Sequence, residues 1–325
     1  MSNKKFRIII TDAEYPTHDI EKKVLSKINF ELVKFQCKTE DELIKNCKDA
    51  NALLNQYAKI TPNVIENLDH VKIIARYGIG VDNVNLDAAT KKGIFVTNVV
   101  YDISDVADHT ITLILALTRK LFFVNKSVKK LEWDWKKFHP INRLKGKTVG
   151  IIGLGRVGRQ VAKRINCFDI NLLACDPYIP VNIFKKYNAK SVDLNKLLQQ
   201  SDFVTLHVPL NDETRYMIST NQLKKMKKSA ILINAARGGI VDEKALYKAL
   251  WNKEIVGAGL DVLENEPIEK DNPLLNLENI IITPHMGWYS EDSVAEVQKI
   301  AAEQVLQTLQ GKIPKNLVNK EVLKL

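Results

Sequence analysis

A chain of 325 residues with 45% hydrophobic and 26% charged residues has room for two domains of ordinary size, and it contains no uninterrupted apolar run of about 18 residues that would suggest a membrane span. The formal charge of +10 raises the question of nucleic acid, but only nine of the 48 basic residues are arginine and the lysines scatter over helix faces such as "NQLKKMKKSA". Scattered lysine solvates a surface, whereas base and phosphate readers cluster arginine, so neither a nucleic-acid nor a membrane partner is expected.

The opening "MSNKKFRIIITD" enters a short strand directly, without the apolar core of a secretory signal, and a cytoplasmic location is expected. Strand-like runs "FRIIIT", "FELVKF", "ANALLN", "VKIIAR" and "GIFVTN" then alternate with amphipathic stretches, the pattern of a parallel α/β sheet. Cys37 and Cys47 lie here, Cys167 and Cys175 later. With no C-x-x-C pair or metal-ligand spacing, all four are expected as reduced thiols, with no disulfide and no metal site.

From Ser104 to Leu131 the chain has neither Pro nor Gly, which predicts one long helix capped by Ser104 and connecting two domains. The segment from Phe122 to Lys147 carries Trp133, Trp135 and Phe138, three aromatic side chains that are costly to leave in water.

Alternation restarts at Lys147 with "KTVGIIGLGRVGRQVAKRI", a strand, then Gly153, Gly155 and Gly158 in G-x-G-x-x-G spacing, then a helix. The first glycine permits the tight turn, the second lets the backbone approach a pyrophosphate, and the third lets helix pack on strand. The phosphates then meet unpaired N–H groups at the helix amino end. The next strand, "INLLACDP", ends at Asp176, 18 residues after Gly158. A carboxylate there accepts from ribose hydroxyls and repels a 2′-phosphate, so NAD is favoured over NADP.

Three later strands deliver polar groups. "ILINAARGGIVD" ends with Arg237, "VGAGLDVLENEP" with Asp261, Glu264 and Glu266, and "IIITPHMGW" with His285. In an open parallel sheet these carboxyl ends converge on the ligand crevice. Read singly, Arg237 is a surface turn residue, Glu266 a turn charge before Pro267, and His285 a satisfied strand-end residue. Read together beside a dinucleotide motif they suit hydride transfer with a 2-hydroxy acid: a histidine to exchange the hydroxyl proton, a carboxylate to fix its tautomer, and an arginine to hold the substrate carboxylate.

With its glycine fingerprint, "N-x-x-R-G-G-x-V-D", "D-V-x-E-x-E-P" and "T-P-H" in order, the sequence resembles the D-isomer-specific 2-hydroxyacid dehydrogenase family over essentially its whole length. The resemblance implies catalytic roles for Arg237, Glu266 and His285. It implies two Rossmann-like or flavodoxin-like α/β domains, the NAD-binding domain at 104–289 inserted in a substrate domain formed by 1–103 and 290–325, closed by a last helix from about Ser290 to Gln310.

Cofactor contacts are implied for Thr110, Gly153, Gly155, Arg156, Val157, Gly158, Asp176, His207, Pro209, Ala235, Ala236, Arg237, Asp261 and His285. For Thr110, packing within its helix is the alternative. The loop "ARYGIGVDNV" resembles the family's substrate loop, with Gly78, Ile79 and Gly80 offering backbone N–H groups and Arg76 either a substrate ligand or a salt-bridge partner. In the family the arm after the long helix exchanges across a two-fold axis, which implies a homodimer.

"PHMGWYSE" looks like the branch containing the C-terminal binding proteins, where Trp288 would wall an apolar substrate pocket, and "YGIGVDNV" like the phosphoglycerate dehydrogenases. Three readings therefore stand: an NAD-dependent reductase of a small 2-keto acid, a D-3-phosphoglycerate dehydrogenase, and an NAD-gated corepressor-like binding protein.

Overall fold

The computed structural model describes residues 5–324. The chain divides into two compact units, one running up to Asp102 and resuming at Ser290, the other spanning Ile103–Tyr289.

The first unit is built on a five-stranded parallel sheet. Its strands are β1 (Phe6–Asp12), β2 (Phe30–Lys34), β3 (Ala52–Asn55), β4 (Ile73–Arg76) and β5 (Phe95–Thr97), in the order β2-β1-β3-β4-β5. The short runs "IIIT", "ALLN" and "II" are buried on both faces, as parallel strands flanked by helices must be. One face packs Leu43, Ile60, Val64, Ile65 and Leu68 against Ile9, Leu53, Ile74 and Val96.

The last helix, Glu291–Leu309, belongs to this unit and is capped by Ser290, whose Oγ accepts from Ser293 N at 3.0 Å. Its Gln298 reaches into the interior, where Nε2 donates to Thr17 O at 2.7 Å and to Glu21 Oε2 at 2.9 Å. Glu21 is fully buried and also accepts from the Tyr77 hydroxyl at 2.6 Å, with His18 Nδ1 3.2 Å from its Oε1, so the buried carboxylate is satisfied by several side chains.

The second unit carries seven parallel strands. They are β6 (Thr148–Ile152), β7 (Asn171–Cys175), β8 (Ala189–Ser191), β9 (Phe203–Leu206), β10 (Ile231–Asn234), β11 (Gly257–Leu260) and β12 (Ile280–Ile282). Their order, β12-β11-β10-β9-β6-β7-β8, reverses direction between β6 and β9. That reversal is the switch point at which doubly wound sheets bind ligands beyond the strands' carboxyl ends. Two apolar layers cover the sheet, one around Leu197, Leu232, Leu246 and Leu260, the other around Ile114, Ile151, Val161 and Ile233.

The expected doubly wound parallel α/β architecture is thus present, but the long connecting helix is not continuous. It runs from Ser104 to Thr118, Lys120 turns into the left-handed region at φ 52°, and a second helix follows at Leu121–Val128. Leu131 is left-handed as well, at φ 63°. Ser104 is the first helical residue rather than the cap, which is Ile103 and lacks a side-chain bond. The physical reason is tertiary: the first helix buries Ala107, Ile111, Ile114 and Leu117, whereas Leu121 and Phe122 are exposed, so the buried stripe ends where the backbone turns. Absence of Gly and Pro permits a helix to continue without compelling it. Among the described residues no helix is long and apolar enough to cross a membrane.

Candidate active site

All seven strands of the second unit point their carboxyl ends to one edge, and the turns leaving β6, β7, β9, β10, β11 and β12 assemble there. At the switch point, Gly153 follows β6 at φ 91°, and its N–H donates to Cys175 O at the end of β7, 2.9 Å away. A side chain at Gly153 would press on the His207 backbone at 2.8 Å, and one at Gly158 would collide with the Gly153 carbonyl, so strand and helix meet more closely than any Cβ allows.

Gly155 is the cap of the ten-residue helix Arg156–Ile165 and makes no side-chain cap bond. A Cβ there would meet nothing within 4 Å. An approachable backbone at an uncapped helix amino end fits a pyrophosphate, and NAD fits this chain on that observation. Val157 is half-buried and Arg156 exposed on the helix's first turn.

Asp176 stands immediately beyond β7. Its Oδ2 accepts from Leu154 N inside the glycine turn at 2.8 Å, and its Oδ1 from Tyr178 N at 3.0 Å. The carboxylate is therefore fixed beside the place where the glycine turn would hold phosphates. His207, beyond β9, shares a hydrogen bond of 2.9 Å between Nε2 and Thr205 Oγ1, while its Nδ1 is shut from solvent without a partner. An edge of the residue is exposed, but burial of the ring pushes its pKa down to about 3. Pro209 is exposed in the same loop. Thr110 is fully buried and spends its hydroxyl proton on Val106 O, 2.8 Å away, in its own helix.

Beyond β10, Ala235, Ala236 and Arg237 are half-buried. Asn234 braces that turn, its Nδ2 donating to Arg237 O at 2.8 Å and its Oδ1 accepting from Ala236 N at 3.1 Å. The Arg237 guanidinium donates to Ala236 O at 2.8 Å.

The structure brings Glu266 and His285 together: His285 Nδ1 lies 2.6 Å from Glu266 Oε2, and Glu266 Oε1 accepts from Leu263 N at 2.9 Å. Since a carboxylate only accepts, Nδ1 carries the proton in this bond. Glu264 is used elsewhere, with Tyr216 OH 2.8 Å from Oε2 and Glu243 N 2.9 Å from Oε1. Trp288 is half-buried and meets Tyr289 edge-on at 5.9 Å between ring centroids.

Asp261 is buried and heavily bonded. It accepts from Thr283 Oγ1 at 2.6 Å, Met286 N at 3.0 Å and Gly287 N at 2.8 Å, and the Nε2 of His109 lies 3.2 Å away. Burial alone would raise its pKa, but hydrogen bonds from His109, Thr283 and Gly287 outweigh it and hold the carboxyl below the usual range. No sequence motif marks His109 or Thr283 for a role of its own, although Thr283 opens "T-P-H" and His109 precedes Thr110.

The residues read as a substrate loop lie in the first unit. Gly78 is buried, Gly80 half-buried and Ile79 more exposed, just past β4. Arg76 folds back so that its NH1 donates to Tyr77 O at 3.2 Å and its guanidinium occupies the space a side chain at Gly78 would need.

The family model for the NAD binding domain of D-isomer specific 2-hydroxyacid dehydrogenases matches residues 111–287. The D-3-phosphoglycerate dehydrogenase of Methanocaldococcus jannaschii is 44% identical over 316 residues, covering 96% of this chain and 59% of that protein. This chain thus spans about three fifths of that relative's length. The glyoxylate reductase of Korarchaeum cryptofilum is 39% identical over 321 residues, covering 95% of this chain and 96% of the relative. Among solved structures, D-lactate dehydrogenase from Aquifex aeolicus complexed with NAD and lactic acid superposes with a TM-score of 0.85 at 29% identity, covering 94% of this chain and 96% of that one.

Proposed function

Because the chain belongs to the D-isomer specific 2-hydroxyacid dehydrogenases, we propose that it reduces a small 2-keto acid with NADH through an acid/base relay of His285 and Glu266. The observation that carries this is the 2.6 Å bond from His285 Nδ1 to Glu266 Oε2 on the same strand edge as the glycine turn. The nicotinamide supplies the hydride when bound. Gly153, Gly155 and Gly158 with the amino end of the helix Arg156–Ile165 would hold its pyrophosphate, and Asp176 its ribose hydroxyls.

Arg237 pairs with the substrate carboxylate and orients the carbonyl. Protonated His285 gives its Nε2 proton to the substrate's carbonyl oxygen, and Glu266 keeps the ring turned and balances its charge. The roles of Arg76, Gly78, Ile79 and Gly80 toward substrate, and of Trp288 as an apolar wall like that of the C-terminal binding protein branch, rest on resemblance.

The test is turnover of NADH against glyoxylate, pyruvate, 4-methylthio-2-oxobutyrate and 3-phosphohydroxypyruvate. No oxidation of NADH with any 2-keto acid overturns the reading. A second reading, D-3-phosphoglycerate dehydrogenase, is favoured by the 44% identity to the M. jannaschii protein, and phosphohydroxypyruvate as the best substrate selects it.

The protein acts as a homodimer in the cytoplasm, a location suited to its free thiols. Support for the dimer comes from Leu131, Trp133 and Trp135, large apolar side chains within five residues of one another that are 94%, 89% and 77% exposed. Light scattering should give about twice the 36.9 kDa chain mass, and a species at the chain mass alone at micromolar protein excludes the dimer.

A further inference from the structure

The turn that carries His285 is held in a backbone conformation unusual for a side-chain-bearing residue. His285 has φ 51°, and its N–H donates both to Asp261 O at 2.8 Å and to Thr283 O at 3.0 Å. Left-handed residues other than glycine persist where the surroundings over-determine them. Here the surroundings are one buried carboxylate that grips the turn on both sides of His285, through Thr283 Oγ1 before it and the N–H groups of Met286 and Gly287 after it.

A second imidazole completes the grip. His109, on the helix Ser104–Thr118, places Nε2 2.9 Å from Thr283 Oγ1 and 3.2 Å from Asp261 Oδ1. The proton positions follow from the acceptors. Asp261 is a carboxylate and only accepts, so at 2.6 Å the single hydroxyl proton of Thr283 points to it. The hydroxyl can then only accept from His109, and Asp261 can only accept as well. Nε2 of His109 must carry a proton to satisfy either neighbour.

We propose that His109 is a positioning residue for proton transfer at His285, its Nε2–H locking Thr283 and Asp261 so that the turn presents the His285 ring to Glu266. The chain of bonds runs from His109 Nε2–H to Thr283 Oγ1–H to Asp261, and from Asp261 to the backbone flanking His285. The contacts of His109 Nε2 are with Thr283 and Asp261, so its influence on His285 passes through them. Its effect is on kcat, because a small misplacement of a reacting group is felt in the chemical step.

The inference rests on reading His285 as the acid/base, so the experiment includes His285→Ala beside His109→Phe, His109→Gln, Thr283→Val and the double variant of the last two sites, His109→Phe with Thr283→Val. The holoenzyme is assayed with NADH and the best substrate of the keto-acid panel. His109→Phe keeps a ring but loses the donor, and kcat should fall about 10- to 100-fold while the Kd for NADH stays within about twofold. His109→Gln returns an N–H donor near the place of Nε2 and should restore most of the loss. Thr283→Val should match His109→Phe, and the double variant should be no slower than either, because one chain has been cut twice.

Independently of turnover, imidazole nitrogen NMR on the unmodified protein should find a proton on Nε2 of His109 at neutral pH. A neutral His109 protonated on Nδ1 instead, additive losses in the double variant, or unchanged kcat in His109→Phe overturns the proposal. Should His109→Phe fail to fold, the NMR assignment and Thr283→Val still decide it. Near-normal turnover by His285→Ala overturns the acid/base reading itself, whereas a dead His285→Ala beside a normal His109→Phe overturns only the role of His109.

Discussion

Acidification from pH 7 to pH 5 should weaken the second unit through the imidazole of His207. In the folded chain burial pushes this pKa from the ordinary 6.5 to about 3. Between those values the unfolded chain binds a proton that the folded chain refuses. The contribution is therefore complete above pH 6.5, falls as the pH drops through the window and is exhausted near pH 3.

At pH 5 the unfolded imidazole lies about 1.5 units above the pH, which at 1.36 kcal/mol per unit is a loss of about 2 kcal/mol. His207 is still neutral in the folded state there, so the unfolded chain sets the size of the loss. All four tryptophans, Trp133, Trp135, Trp251 and Trp288, lie in the second unit, so their fluorescence follows its unfolding in urea. The native protein should lose about 2 kcal/mol more between pH 7 and pH 5 than His207→Asn, which shares the other five histidines and so their titration. Equal losses in the two proteins refute the reasoning.

Replacing His285 or Arg237 by alanine should lower kcat by about 10² to 10⁴ with NADH binding retained, read by steady-state turnover beside NADH titration; near-normal activity in His285→Ala sinks the relay. Asp176→Ser should narrow the preference for NADH over NADPH, since the carboxylate now fixed beside Leu154 would no longer face a 2′-phosphate, and equal kcat/KM for both cofactors in the unmodified protein removes the assignment. Trp288→Ala should cost 4-methylthio-2-oxobutyrate about 1 to 3 kcal/mol in transition-state binding and leave glyoxylate nearly unaffected, and an equal loss for both substrates shows the indole serving structure alone.

The features legible in the sequence are those whose physics is local. Gly153, Gly155 and Gly158 announce themselves because the turn, the phosphate approach and the helix packing are requirements on neighbouring residues, and the strand before them fixes their context. Short β-rich runs such as "IIIT" and "VGII" mark parallel strands because burial on both faces leaves no polar alternation to confuse them. Glu266 and His285 are 19 positions apart, yet both sit just past strands, and strand ends in a parallel sheet share an edge by topology alone.

What escaped the sequence depends on distance along the chain. The helix after Ser104 breaks at Lys120 because its buried stripe ends there, which no residue in the segment declares. His109 lies 174 positions before Thr283, on a helix rather than at a strand end, and only the fold makes them neighbours. Asp261 shows the same limit from the other side. Its place after β11 made it visible as a site residue, but the bonds that turn it into the clasp of the His285 turn come from Thr283, Met286, Gly287 and His109. A carboxylate so occupied fixes the backbone from which the His285 imidazole projects. Spacing can nominate the groups that do chemistry, therefore, while the groups that aim them are identified by the direction of each hydrogen bond, and at this site that direction runs from His109 inward.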